Sequence, residues 1–244
     1  MLVKSQVKYI QSLSQKKSRD QEGVFIAEGP KIINELLSRP NIRLQQLYAI
    51  PEWISQQGQM QAGSVIEITA QELERLTQLQ TPNQVIGIFK KPEFPEITNY
   101  HERLTLMLDT IQDPGNMGTI IRCADWFGID TIICSRDSAD NFNPKVVQST
   151  MGSISRVQVI YDDLIPFIQQ HAAIPAYAAT LHGTSLHDMP PIKEGILVIG
   201  NESKGIGEEL LKHCRHKITI PRKGHAESLN AAVATGIILS HIVR

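Results

Sequence analysis

Apolar residues recur along the chain with two different periods, and the alternation between them sketches a fold. In the first ninety residues an amphipathic stretch at 4–13 leads to a polar, basic turn, Lys16-Lys17-Ser18-Arg19, and then to the strand-like run Val24-Phe25-Ile26-Ala27. Residues 31–37 fit the helical period. Leu47-Tyr48-Ala49-Ile50, Val65-Ile66-Glu67-Ile68 and Val85-Ile86-Gly87-Ile88-Phe89 read as strands. The pattern lapses around Lys90-Lys91-Pro92-Glu93-Phe94-Pro95, where two prolines stand among charges. A small α/β domain is therefore expected at 1–92, a linker at 93–103 and a larger domain at 104–244, with flexible tethering between them.

In the larger domain short apolar runs alternate with helical patterns. Strands are expected at 104–108, 131–134, 157–160, 176–179, 196–199 and 217–220, and helices at 119–126, 145–150, 163–170, 208–213 and 229–243. Strands apolar on both faces and separated by helices predict a parallel sheet covered on both sides. Such sheets bind ligands beyond the carboxyl ends of their strands.

Composition narrows the class without choosing a function. The chain has 244 residues, 41% hydrophobic, with 24 Lys+Arg against 25 Asp+Glu, which excludes collagen-like and disordered chains. Runs such as Ile196-Leu197-Val198-Ile199 fall far short of the roughly 18 residues of a membrane span. The first residues, Met1-Leu2-Val3-Lys4, open no apolar leader. Cys123, Cys134 and Cys214 are odd in number and lack Cys-x-x-Cys spacing, so a cytoplasmic protein with reduced thiols and no membrane partner is expected. His213-Cys214-Arg215-His216 has ligand-like spacing, but no second pair completes a tetrahedral set, and no metal is expected.

Three segments after strands carry polar residues that a loop does not need merely to turn. The first is Asp109-Thr110-Ile111-Gln112-Asp113-Pro114-Gly115-Asn116-Met117-Gly118, entering a helix with Arg122. Asn116 is a candidate helix cap, and the guanidinium fork of Arg122 suits a phosphate. The second, Gly200-Asn201-Glu202-Ser203-Lys204-Gly205-Ile206-Gly207, is glycine-rich yet lacks both phosphate-loop fingerprints, and Glu202 would repel a phosphate. An acid there suits a hydroxyl-bearing or cationic ligand. The third runs from Ile220-Pro221-Arg222-Lys223-Gly224-His225 to Ser228-Leu229-Asn230, with Ser228 a candidate cap of the final helix.

Taken in order, Asp113-Pro114-Gly115-Asn116-Met117-Gly118 with Arg122, Gly200-Asn201-Glu202 with Gly205, and Ile220-Pro221 with Ser228-Leu229-Asn230 resemble the three motifs of the SpoU (TrmH-like) RNA ribose 2'-O-methyltransferases of the SPOUT superfamily. Asn143-Pro144-Lys145-Val146-Val147 with Met151-Gly152 is similar to the family's segment between motifs one and two. Phe25, Glu28 and Gly29 resemble the Phe-x-x-Glu-Gly of its small α/β (L30e-like) substrate-binding domain. The resemblance implies a parallel α/β sheet closed by a deep trefoil knot and a homodimer with the active site at its interface. It implies S-adenosylmethionine held by Gly200, Ile220 and Leu229, with Glu202 and Ser228 shaping the pocket. It implies Arg122, Asn116, Glu202, Asn230 and Ser228 as the catalytic set. Asn230 would then orient the nucleophile or Glu202, and Arg122 would clamp the phosphate beside the target ribose. Gln148 stands where the family often has arginine, Arg222 where an apolar residue is usual, and Ala231-Ala232 where Val-Ser is commoner. None of these removes a catalytic group.

RNA contacts are expected at Lys16, Lys17 and Arg19, with Arg122 at the ribose phosphate. Ribosomal RNA (23S-type) is the expected substrate. Transfer RNA, a non-catalytic RNA-binding or ribosome-assembly protein on the same fold, and a dinucleotide-dependent enzyme are the rival readings; the missing dinucleotide fingerprint counts against the last.

Overall fold

The computed structural model describes residues 2–58 and 63–243. The chain divides into two compact units, Met1–Phe94 with Asp140–Ser155, and Pro95–Ala139 with Arg156–Arg244.

The first unit runs α1 (Lys4–Ser12), α2 (Lys16–Glu22), β1 (Val24–Glu28), α3 (Pro30–Leu37), β2 (Leu44–Ala49), α4 (Pro51–Ile54), β3 (Val65–Glu67), α5 (Ala70–Leu76) and β4 (Val85–Lys90). Its sheet has the order β1-β4-β2-β3, with β4 antiparallel to both neighbours and β2 parallel to β3. Helices α1 and α3 and the four strands lie close to the expected positions, where apolar periodicity marks them. α3 is typical: Pro30 presets the first turn, and Ile32, Ile33 and Leu36 recur on one buried face.

Three helices departed from expectation. The supposed basic turn at 16–19 is the start of α2, which ends on Gly23 in the left-handed conformation. α2 has no apolar stripe to read, because its one buried side chain is Arg19. α4 is a single turn. α5 is short but carries a reciprocal capping pair, Thr69 with Glu72, and buries Leu73 and Leu76.

The second unit runs β5 (Leu104–Leu108), α6 (Pro114–Trp126) and β6 (Thr131–Cys134). After α7 (Pro144–Thr150), which lies within the first unit, come β7 (Gln158–Tyr161), α8 (Leu164–Gln170), β8 (Ala176–Ser185), β9 (Gly195–Ile199), α9 (Glu208–Leu211), β10 (His216–Thr219) and α10 (Ala231–Ile242). All six strands are parallel, in the order β10-β8-β9-β5-β6-β7. β5, β6 and β9 are buried throughout, as strands apolar on both faces must be. Met107, Ile133, Ile196 and Val198 pack with Leu164, Phe167 and Ile168 of α8 and Leu210 of α9.

Two features of this sheet position the loops. From β5 the chain lays down β6 and β7 on one side and β8, β9 and β10 on the other, so the ends of β5 and β9 meet where the strand order reverses. The pairing of β10 with β8 also jumps, from Ala178 opposite Lys217 to Thr184 opposite Ile218. Gly183 permits that jump, because a Cβ there would lie 2.4 Å from the Lys217 carbonyl oxygen. Among the described residues no helix is long and apolar enough to cross a membrane.

Candidate functional site

The loops after β5, β9 and β10 meet through one line of side chains. Asn116 donates from Nδ2 to Glu202 Oε1, and its Oδ1 accepts from Asn230 Nδ2 at 2.7 Å. Each bond joins residues remote in sequence, from the start of α6 to the loop after β9 and to the start of α10.

The line exists because the helix caps fall on other residues than the sequence pattern suggests. Asp113, not Asn116, caps α6, accepting from the Asn116 amide at 2.8 Å. Pro114 at the first helical position makes Asp113 the last extended residue, which leaves the Asn116 side chain at liberty to bridge. Asn230, not Ser228, caps α10, its Oδ1 accepting from the Ala232 and Val233 amides at 3.0 and 3.2 Å. Asn230 thus spends its oxygen on the helix and its amide nitrogen on Asn116. It reaches Glu202 through Asn116 rather than directly.

A second set of bonds, not anticipated from sequence, fixes the glycine-rich loop. Asp109 Oδ2 accepts from the Gly207 amide at 2.7 Å, and Asn201 Nδ2 donates to the Thr110 carbonyl at 2.9 Å. Asn201 Oδ1 in turn accepts from the Ser203 and Lys204 amides. Thr110 has φ +59°, a left-handed conformation costly for a β-branched residue. It is held there by Ser135 Oγ, which accepts from its amide at 2.8 Å, and by Asp109 and Asp137, which accept from its hydroxyl. Within the loop, a Cβ at Gly200 would lie 2.3 Å from the Gly205 carbonyl carbon, so only glycine allows this fold-back. A threonine in this conformation and an aspartate at a strand end leave no periodic signal, so the sequence, which places both in the first strand-end segment, assigns neither a role.

The other expected residues lie apart from the line. Arg122 is exposed, two turns into α6 and about 9 Å along the axis from Asn116. It forms no ion pair among the described residues. Ile220 is half-buried at the end of β10, whereas Ser228 and Leu229 are exposed in the 221–230 loop, where Arg222 Nη1 donates to the Ala226 carbonyl at 3.1 Å. In the first unit Lys16 and Lys17 are exposed. Arg19 is not available to RNA as expected: it is 1% exposed, and its guanidinium donates to the Leu13 and Ser14 carbonyls at 2.8 Å and pairs with Asp140. A cation with no room for solvent is retained by partners inside the unit.

The ligand-like His213-Cys214-Arg215-His216 spacing resolves into packing. Cys214 is buried against α8 and α9, and burial pushes its thiol up to about 11. No group of three His, Cys, Asp or Glu suited to a metal occurs among the described residues.

The loops can serve a nucleoside-bearing cofactor. Two backbone-rich loops, 200–207 and 220–230, follow β9 and β10 at the same end of the parallel sheet, one tied down by Asp109 and Asn201 and the other carrying the exposed apolar side chain of Leu229. Main-chain donors and acceptors read a base edge, and an aliphatic side chain covers its face.

Comparison with known proteins places the chain in a family. Residues 103–240 match the model of the SpoU rRNA Methylase family, and residues 4–87 match the MRM3-like substrate binding domain. The 23S rRNA guanosine 2'-O-methyltransferase RlmP of Bacillus subtilis is 30% identical over 97% of this chain and 95% of its own length. The AdoMet-bound rRNA methyltransferase from Sinorhizobium meliloti superposes with a TM-score of 0.83 at 31% identity, covering 99% of this chain and 95% of that one. A TrmH-family structure from Porphyromonas gingivalis gives 0.85 at 36% identity, covering 99% and 98%.

Proposed function

The chain belongs to the SpoU rRNA methylase family, and we propose that Asn116, Arg122, Glu202 and Asn230 form the centre at which it methylates a ribose 2'-hydroxyl of ribosomal RNA. It is an S-adenosylmethionine-dependent RNA 2'-O-methyltransferase. The observation that carries the residue assignment is the hydrogen-bonded line from Glu202 through Asn116 to Asn230.

Gly200, Ile220 and Leu229 would hold the cofactor, with Glu202 and Ser228 shaping the pocket. When bound, S-adenosylmethionine supplies a methyl carbon made electrophilic by its sulfonium. The protein has then to align a ribose oxygen with that carbon and take away the hydroxyl hydrogen, and alignment accounts for much of the rate in such displacements. Glu202 Oε1 is occupied by Asn116, and Oε2 has no partner among the described residues, so Oε2 is the acceptor for the hydroxyl hydrogen. Asn116 is fixed at both ends of its amide, which prevents it from flipping and holds Glu202 in one orientation. Arg122 clamps the adjacent phosphate and stabilises charge developing on the ribose oxygen. A guanidinium keeps its proton in proteins, so Arg122 does not serve as the base.

Lys16 and Lys17 of the first unit, within the stretch matched by the substrate binding domain, contribute to gripping the RNA. Exposed apolar residues on two helices packed together, Trp126 of α6 at 84% and Val233 and Ile237 of α10, support a homodimer formed through the second unit. In this reading the β8–β10 region carries the family's trefoil knot and the enzyme works in the cytoplasm.

The test is transfer of labelled methyl from S-adenosylmethionine to ribosomal RNA from a strain lacking the protein, read as nuclease-resistant 2'-O-methyl dinucleotides. Incorporation at one ribose is expected. Intact donor binding with no incorporation into free or ribosome-bound RNA would overturn the substrate.

A further inference from the structure

The charge of the whole chain is balanced, but between residues 212 and 225 the balance breaks. This stretch holds five cations, Lys212, Arg215, Lys217, Arg222 and Lys223, interleaved with three histidines and no carboxylate. Every one of these side chains is exposed. The stretch leaves α9, forms β10 at the edge of the six-stranded sheet and continues into the loop that ends at Asn230. Lys212 pairs with Glu209 at 2.6 Å on the surface; among the described residues no carboxylate lies within ion-pair reach of Arg215, Lys217, Arg222 or Lys223.

Charge on an edge strand has an ordinary use, since it discourages pairing with another sheet edge. That accounts for Lys217 on β10 itself. It does not account for the cations before and after the strand, nor for the lack of a compensating acid over fourteen residues. From Arg215 to Arg222 an extended chain covers about 20 Å, too far for one small anion to touch both ends. A line of separated cations fits a polymer with a repeating negative charge. Beside it the His216 ring stacks on Tyr177, with centroids 4.8 Å apart and planes at 21°, and its exposed side offers a flat surface for a base.

We propose that the β10 edge of the second unit, from Lys212 through Lys223, is an RNA-contacting surface that binds the phosphate backbone and leads the strand toward Asn230. It rests on the reading of the chain as an RNA methyltransferase and adds to it a grip on the catalytic unit itself, separate from Lys16 and Lys17. Binding here raises the effective concentration of the target ribose without touching the chemical step, so its loss falls on RNA affinity and not on turnover.

The full chain with Lys212→Gln, Arg215→Gln and Lys217→Gln tests it, compared with the unaltered protein for RNA binding across a salt series, donor binding and methyl transfer. The slope of log affinity against log salt falls by about two, at about 0.7 for each lost phosphate contact to a single strand. KM for RNA rises about tenfold, while S-adenosylmethionine binding and kcat at saturating RNA stay as they were. An unchanged slope and an unchanged KM, with donor binding intact, overturn the proposal. If altering the strand harms folding, seen as lost donor binding, Lys212→Gln with Arg215→Gln leaves β10 untouched and lowers the slope by about 1.4. A steep slope that the variant loses supports the surface even if the unaltered protein transfers no methyl group, an outcome that would count against the catalytic reading alone.

Discussion

Arg19 in the first unit and Arg122 in the second are the same residue type put to opposite ends. Arg19 is packed away and spends its two terminal nitrogens on two carbonyls and Asp140, within a stretch of α2 that has no apolar side to bury. Arg122 sits on a helix whose apolar residues Met117, Ile120, Ile121 and Ala124 already secure it, and its guanidinium is left to solvent without a carboxylate. In the first unit, then, charged side chains are buried to complete the packing; in the second, the buried polar side chains are threonines, and charged groups at the strand ends are available for chemistry. Glu28 repeats the first pattern, buried with Thr77 Oγ1 and the Gln78 amide donating to it at 2.5 and 2.8 Å. Glu202 repeats the second.

The sharpest way to break this comparison is to remove an arginine from each side. Arg122→Ala lowers methyl transfer by at least about 100-fold, the range for losing one donor to a developing oxyanion, while melting temperature and S-adenosylmethionine binding remain near those of the unaltered protein. Near-normal turnover would return Arg122 to the surface.

Next in size is Arg19→Met, which leaves Asp140 unpaired in a largely buried position and destabilises the protein by about 2 kcal/mol, measured by urea unfolding. Methyl transfer by the molecules still folded is unchanged. Adding Asp140→Leu recovers most of the loss, because the pair is replaced by apolar contact instead of being broken.

A smaller effect comes from Asp109→Ala, which releases the Gly207 amide and weakens S-adenosylmethionine binding about tenfold, as expected for one hydrogen bond to a charged group. Asp109→Asn, which keeps an acceptor, restores most of it. Equal loss of kcat and donor affinity in both variants would mean that Asp109 does more than hold the loop.

The mildest test is a pH profile. Burial raises the Glu28 carboxyl above its ordinary value, with the bonds from Thr77 and Gln78 opposing the shift. A folded-state value above the unfolded one means that this contribution to stability is fully present below the unfolded value and is lost as pH rises through the folded one. Glu28→Gln therefore flattens the decline of stability with pH over that window. An unaltered slope would place the titrating group elsewhere.

The same contrast explains what the sequence disclosed. Where apolar residues carry an element, as Leu104–Leu108 and Thr131–Cys134 do, position and type were legible from the apolar pattern alone. Where a charged side chain carries it, as Arg19 carries α2, there was nothing periodic to find. The three strand-end loops were legible as unusual because their polar residues exceed what turning requires. Their internal wiring was not, since a capping residue and a bridging residue are chemically alike until the helix start is known. Asp113 and Asn116 are three positions apart, and either can cap; only Pro114 in its place decides between them. Asp109 and Thr110 open the first of the three segments, yet their work depends on partners nearly a hundred positions away.

Those distances along the chain also set the timing of activity. Asn116 meets Glu202 across 86 positions and Asn230 across 114, and Asp109 meets Gly207 across 98. Contacts that close long loops are slow to form, whereas helices and neighbouring strands appear early. The pairing of β5 with β9 closes a loop of similar length, so a refolding chain regains its helical signal before either the centre of the sheet or the line of side chains is in place. Catalytic competence returns no earlier than the centre of the sheet, so activity reports on the completeness of folding more strictly than the helical signal does.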